Sequence, residues 1–241
     1  MMKKFEKSIF SQRGQDGINE ILVYRIYGDP RFHFFVEIGT QDGTECNTRY
    51  FRENYGWNGL LIDGSHEDSK INLKKHMVTA WNIVDCLKKY NIPKNFQFLS
   101  LDIDQNTFYV LKKILTSYRP DIIDVEYNSS HAPDQDKVVL YHDLNQWDGT
   151  DYFGASLLSF YLMLRPLNYS LVYTDSTGTD AFFIKDELIH SKNLFFENIN
   201  DVFKLYNKPI YLNNSGHPPD PKNRSYITAN QACFFIDESI F

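Results

Sequence analysis

Long apolar runs are missing from this sequence of 241 residues. No stretch approaches the roughly 18–20 apolar residues that a helix needs to cross a bilayer, so no membrane span is expected. The N-terminal MMKKFEKSIF carries lysines but lacks the apolar core of a secretory signal. Cysteine is scarce: Cys46, Cys86 and Cys233 form no C-x-x-C pair, which argues against a disulfide framework or a zinc knuckle. An excess of basic charge is also lacking. Lys and Arg number 25 against 31 Asp and Glu, a net charge of −6, which disfavours a nucleic-acid partner. These absences together lead to the expectation of a cytoplasmic protein. Two phosphate-binding signatures, G-x-G-x-x-G and G-x-x-x-x-G-K-[ST], do not occur either.

What is present is organised around Phe32–Asp63. An apolar run ending Phe35-Val36-Glu37-Ile38 reads as a strand buried on both faces. It breaks at Gly39-Thr40-Gln41-Asp42-Gly43, whose glycines permit a tight turn. Cys46–Asn54 reads as a helix, and Gly59–Asp63 as a second strand ending on a carboxylate. This is the plan of a nucleotide-binding βαβ unit. Asp63 is placed to meet ribose hydroxyls. Glu37, just before the glycine loop, is expected to repel a pyrophosphate and to attract the amino group and sulfonium of S-adenosylmethionine.

Along the rest of the chain, Ile18, Ile21, Leu22 and Ile26 predict a helix after the polar turn Ser11–Gly17. Glu67–His76 reads as a helix, Met77–Trp81 as a third strand and Val84–Tyr90 as a short helix. Phe96–Leu101 and Ile122–Val125 read as strands around a helix at Thr107–Ser117, and Ala155–Leu167 as a further helix. Tyr169–Tyr173 and Ala181–Ile184 are too close in sequence for a crossover and suit an antiparallel hairpin. The chain is thus expected to be α/β and doubly wound, with a mostly parallel sheet and an antiparallel edge. Residues 1–190 are read as a ligand-binding domain with a helical lead-in, and 191–241 as an extension packed on it.

Several motifs, taken in order, resemble FkbM-type S-adenosylmethionine-dependent methyltransferases. They are FSQRGQDG, VEIGTQDGTECNT, GWNGLLIDG, LSLDID, EYN after the fifth strand, and FGASL…NYSLVYTDSTGTDAFFI. The resemblance covers roughly residues 10–187 and does not extend over the tail. It implies a seven-stranded, Rossmann-like class I methyltransferase fold with a reversed final hairpin. It also implies that Glu37, Gly39 and Gly43 form the cofactor loop and that Asp63 is the ribose acid. Asn82 and Ile83 would sit at the adenine, and Gln12 and Asp16 over the cofactor or substrate mouth. Such enzymes often decorate natural products or surface polysaccharides, so a small-molecule or glycan acceptor is expected.

Strand ends supply the candidate chemistry: Asp102 and Asp104 from the fourth strand, Glu126 and Asn128 from the fifth. A hydroxyl acceptor must lose a proton, for which Asp104 or His131 is a base, with His142 a weaker one. Alternatively Asp102, Asp104, Glu126 and Asn128 hold Mg²⁺ or Mn²⁺, which oxygen donors favour over zinc. That set is similar to the metal-dependent O-methyltransferase arrangement, and Asp102 also counts among the cofactor contacts. Tyr127, Trp147, Tyr152 and Phe153 are candidates for a wall against a sugar ring. Phe195-Phe196 permits a homodimer. Two other classes stay open: a nicotinamide-dependent oxidoreductase, and a non-catalytic cofactor-binding protein.

Overall fold

The computed structural model describes residues 2–143, 146–213 and 215–238; Leu144, Asn145 and Asn214 lie outside the described residues. Its strands are β1 (Phe34–Ile38), β2 (Asn58–Asp63), β3 (Leu73–Lys75), β4 (Phe98–Leu101), β5 (Ile122–Glu126), β6 (Val138–Val139), β7 (Tyr169–Thr174), β8 (Asp180–Lys185) and β9 (Tyr226–Ile227). Its helices are α1 (Gln15–Tyr27), α2 (Arg49–Tyr55), α3 (Ile83–Lys89), α4 (Thr107–Ile114), α5 (Leu157–Leu164), α6 (Asp186–Ser191), α7 (Val202–Leu205) and α8 (Ala229–Glu238).

Seven strands form one sheet in the order β3-β2-β1-β4-β5-β8-β7. The first five are parallel, and β8 pairs antiparallel with both β5 and β7. This is the expected doubly wound α/β sheet with a reversed final hairpin. The strand order turns back at β1, between β2 and β4, and such a switch point opens a crevice beyond the carboxyl ends of the strands.

Alternation along each strand supplies two cores. Val36, Ile38, Ile123 and Val125 point to the face covered by α3, α4, α5 and α8, whereas Phe35, Phe98 and Ile122 point to the face covered by α1 and α2. Between them, a row of polar side chains crosses the second face. Glu37, Ser100 and Asp124 are direct register partners on β1, β4 and β5.

The region after β2 departs from the expectation. Glu67–His76 is no helix: a 3-10 turn, Ser69–Ile71, leads into β3 at Leu73–Lys75, and 77–81 is a loop rather than a strand. Strand propensity in Met77–Trp81 lost to pairing, since Leu73 aligns with Leu61 and buries its side chain.

The tail is laced to the long loop after β5. β6 pairs with β9, and α8 rests on α4 and α5. Tyrosine hydroxyls tie the two segments: Tyr127 donates to Asn207 O at 3.0 Å, Tyr206 to Ser129 O at 2.7 Å, and Tyr152 to Ser225 O at 2.9 Å. Tyr127, Tyr152 and Phe153 are thereby buried, not wall residues. Phe195 is 82% exposed but Phe196 only 3%, its ring lying under the Arg25 guanidinium, so the two do not form one exposed patch. Among the described residues, no helix is long and apolar enough to cross a membrane.

Candidate functional site

A cleft of about 620 Å³ lies over the carboxyl ends of β1, β2, β4 and β5, within the usual range of small-molecule sites. Gly39 fixes its centre. At a φ of +91°, its Cα approaches the next strand so closely that a Cβ would lie 1.5 Å from Asp102 O. Only glycine allows β1 and β4 to converge there.

One side of the cleft is built on β2. Asp63 is held from several directions: Oδ2 accepts from Gln41 N at 2.9 Å, and Oδ1 from Ser65 N, Ser65 Oγ and His66 N. Partial burial works to raise its pKa, but the hydrogen bonds from Ser65 and His66 prevail and hold it below the ordinary aspartate value. It is therefore an ionised acceptor facing the cleft, its Oδ2 with capacity for a further bond. Gln41, His76, Met77 and Val78 continue this side, and Gln12 also lines the cleft.

The floor is acidic. Carboxylate oxygens of Asp102, Asp104 and Glu126 lie within 4.8 Å of one another. Asp104 adopts a φ of +56°, a left-handed position that aspartate tolerates better than most residues, and this turns it into the cleft. Enclosure raises all three, and repulsion adds to it at Asp104 and Glu126. Asp104 is pushed up to about 7 by burial and by Asp102. Glu126 lies well above the usual range through burial, then through Asp102 and Asp104. Asp102 is raised by burial, partly offset by hydrogen bonds from Glu126 and the Asp104 amide. Solvent in the cleft reaches Asp102, so this floor is open on one side.

The opposite wall comes largely from the tail. Trp147 is 37% exposed, with Nε1 donating to Thr150 O at 2.7 Å. Its ring meets His217 edge-on at 4.5 Å, and His217 in turn contacts Tyr211 at 5.0 Å. Tyr211, Leu212 and His217 went unread in the sequence because nothing local marks them: an asparagine- and proline-rich loop brings them to the cleft.

Other expected site residues stand elsewhere. Glu37 is buried beneath the loop, accepting from Asn47 N at 2.7 Å and from Thr48 N at 2.9 Å, so it turns toward the start of α2 and does not line the cleft. Asp16 accepts from the amides of Ile9, Phe10 and Ser11, which makes it the organiser of the lead-in turn. Gly43, at φ +78°, packs on Ile71 outside the cleft lining. Ile83 is wholly buried in the core, and Asn82 caps Thr79 N and Met77 O; Met77 and Val78 line the cleft in their stead. Asn128 is buried, giving both amide hydrogens to Asp151 O and Phe153 O, and does not line the cleft beside the carboxylates. His131 is only 5% exposed and packs on Tyr226 within the tail junction, away from the cleft. His142 likewise stands outside the lining, its carbonyl accepting from Asn106 Nδ2.

The sequence matches no family model and no curated protein. Among solved structures, it is similar to a candidate O-methyltransferase from Klebsiella pneumoniae at 13% identity, over 68% of this chain and 77% of that one, with a TM-score of 0.39. A likeness this loose carries no functional information.

Proposed function

We propose that this chain is an S-adenosylmethionine-dependent O-methyltransferase that methylates a hydroxyl of a small molecule or glycan. The observation that carries this reading is the position of Glu37. Dinucleotide-binding sheets place a pyrophosphate on the amides at the start of the first crossover helix. Here the Glu37 carboxylate already occupies the amides of Asn47 and Thr48 at that point. A phosphate-free adenosine cofactor needs no such amides. Glu37 thus disfavours a nicotinamide cofactor by filling the anion site, not by the attraction to the sulfonium expected from sequence. The resemblance to FkbM-type enzymes agrees with this.

Asp63 would accept hydrogen bonds from the ribose hydroxyls, while Met77 and Val78 supply an apolar surface for adenine. When bound, the cofactor supplies a methyl group on a sulfonium, ready for in-line displacement. The chain's part is to aim the acceptor oxygen and remove its proton. Asp104, titrating near neutrality at the cleft floor, suits the second task. Asp102, Asp104 and Glu126 also fit a divalent ion, being three oxygen donors whose crowding calls for positive charge. They would hold Mg²⁺ or Mn²⁺, which would acidify the hydroxyl.

Calorimetric titration tests the reading. S-adenosylhomocysteine is expected to bind and NAD not to, and Asp63→Ala is expected to weaken that binding at least tenfold with the fold intact. Failure of the wild-type protein to bind S-adenosylhomocysteine overturns it.

A further inference from the structure

Among the described residues that line the cleft, Arg13 is a cation with no ion pair. Its backbone N–H donates to Gln15 Oε1 at 2.8 Å, and Gln15 in turn donates to Asp180, the cross-strand register partner of Glu126. The residue is thus anchored from beneath the floor. Its guanidinium stands 6.0 Å from the centre of the Tyr211 ring, on the tail side of the cleft.

Although Asp63, Asp102, Asp104, Glu126 and Asp143 share this cleft, among the described residues none forms an ion pair with Arg13, and its Nε is buried with no hydrogen-bond partner. A buried donor left unpaired is costly, and a guanidinium cannot shed its charge to escape that cost. The groups around it offer no substitute. Gln12 is uncharged, burial holds Tyr211 up at about 12, and burial holds His217 below the ordinary histidine value, leaving both neutral at pH 7. An anchored guanidinium with open donors is suited to a planar, bidentate partner.

We propose that Arg13 binds an oxyanion, phosphate or carboxylate, carried by the methyl acceptor, with the body of the acceptor against Trp147 and His217. The inference rests on the methyltransferase reading and names its substrate class: an acidic hydroxyl compound such as a phosphorylated or carboxylated sugar. The ligand that competes for Arg13 is the carboxylate of the cofactor itself.

The test uses the full chain, titrated with inorganic phosphate and separately with acetate, each with and without saturating S-adenosylhomocysteine. Arg13→Gln and Arg13→Lys are compared after far-UV circular dichroism confirms their fold. Expected is saturable binding of at least one anion in the presence of S-adenosylhomocysteine, weakened at least tenfold in Arg13→Gln and less in Arg13→Lys. S-adenosylhomocysteine affinity is expected to stay within twofold. Absence of saturable anion binding, or equal anion affinity in all three proteins, overturns the proposal. So does a tenfold loss of S-adenosylhomocysteine affinity in Arg13→Gln with anion binding unchanged, which assigns Arg13 to the cofactor. If wild-type protein binds anion through Arg13 but no S-adenosylhomocysteine, the anion site stands and the methyltransferase reading falls.

Discussion

Asn47 Nδ2 lies 3.2 Å from Asp124 Oδ2, joining the loop after β1 to a carboxyl group buried in the centre of the sheet. The same amide reaches Ser100 Oγ at 3.2 Å, and its backbone N–H donates to Glu37. One asparagine therefore spans the whole polar row of β1, β4 and β5, with Asn19 of α1 donating to the same Asp124 Oδ2 at 3.0 Å. Removing the Asn47 side-chain amide takes the donor from Ser100 Oγ and leaves Asp124 Oδ2 with Asn19 alone. Asn47→Ala is expected to lower stability by about 1–3 kcal/mol, read from urea denaturation at constant m-value. A loss below a few tenths of a kcal/mol would mean that water replaces the amide.

Close approach at Gly39 leads to a larger effect. A methyl group at a φ of +91° meets the Asp102 carbonyl head-on. Gly39→Ala is expected to cost on the order of 3 kcal/mol or more, a fall in Tm of roughly 6–12 °C for a chain of this size. Gly28, also at positive φ but with nothing within 4 Å of its added Cβ, is the control. Its alanine variant is expected to lose only about 1 kcal/mol.

His131 gives the protein an acid-sensitive joint. Burial, then the nearby Lys137, pushes its pKa down to about 4, against the ordinary 6.5. The unfolded chain binds this proton below about pH 6.5 while the folded chain refuses it until about pH 4, so stability falls as pH drops through that window and is unaffected above it. The difference corresponds to about 3 kcal/mol at full effect. His131→Phe, which keeps a ring against Tyr226, is expected to remove this slope. Carboxylates titrate in the same range, so the readout is the difference between wild-type and variant melting profiles from pH 4 to 7. Parallel profiles would sink the idea.

The carboxyl floor makes a prediction that needs no acceptor. Mn²⁺ titrated into the protein and followed by water proton relaxation is expected to bind saturably. That binding is expected to disappear in Glu126→Gln and Asp104→Asn. Relaxation unchanged at millimolar Mn²⁺ would remove the metal and leave Asp104 as a bare base.

Much of the sheet was legible because apolar runs such as Phe98–Leu101 and Ile122–Val125 are buried on both faces and bounded by turns. The β7–β8 hairpin was legible from its short connection. β3 was not, since three residues carry almost no periodicity and their pairing with Leu61–Asp63 is decided by neighbours. Asp63, Asp102 and Asp104 could be found because strand ends converge by topology. Glu37 and Asn128 misled for one shared reason. A polar residue beside a site has two possible employers, the ligand and the backbone, and only the direction of the side chain separates them. Arg13 stood inside a quoted motif yet went unread, because an unpaired charge becomes conspicuous only once its neighbours are known.

The tail's position has a consequence for synthesis and for engineering. Tyr211 and His217 are made well after Gly39 and Asp63. A nascent chain contains the side of the cleft built on β2 long before the facing wall exists, so the two sides are separable along the gene. Exchange of residues beyond 191 between related chains is then expected to change what the tail-side wall accepts while keeping Gly39 and Asp63 in place.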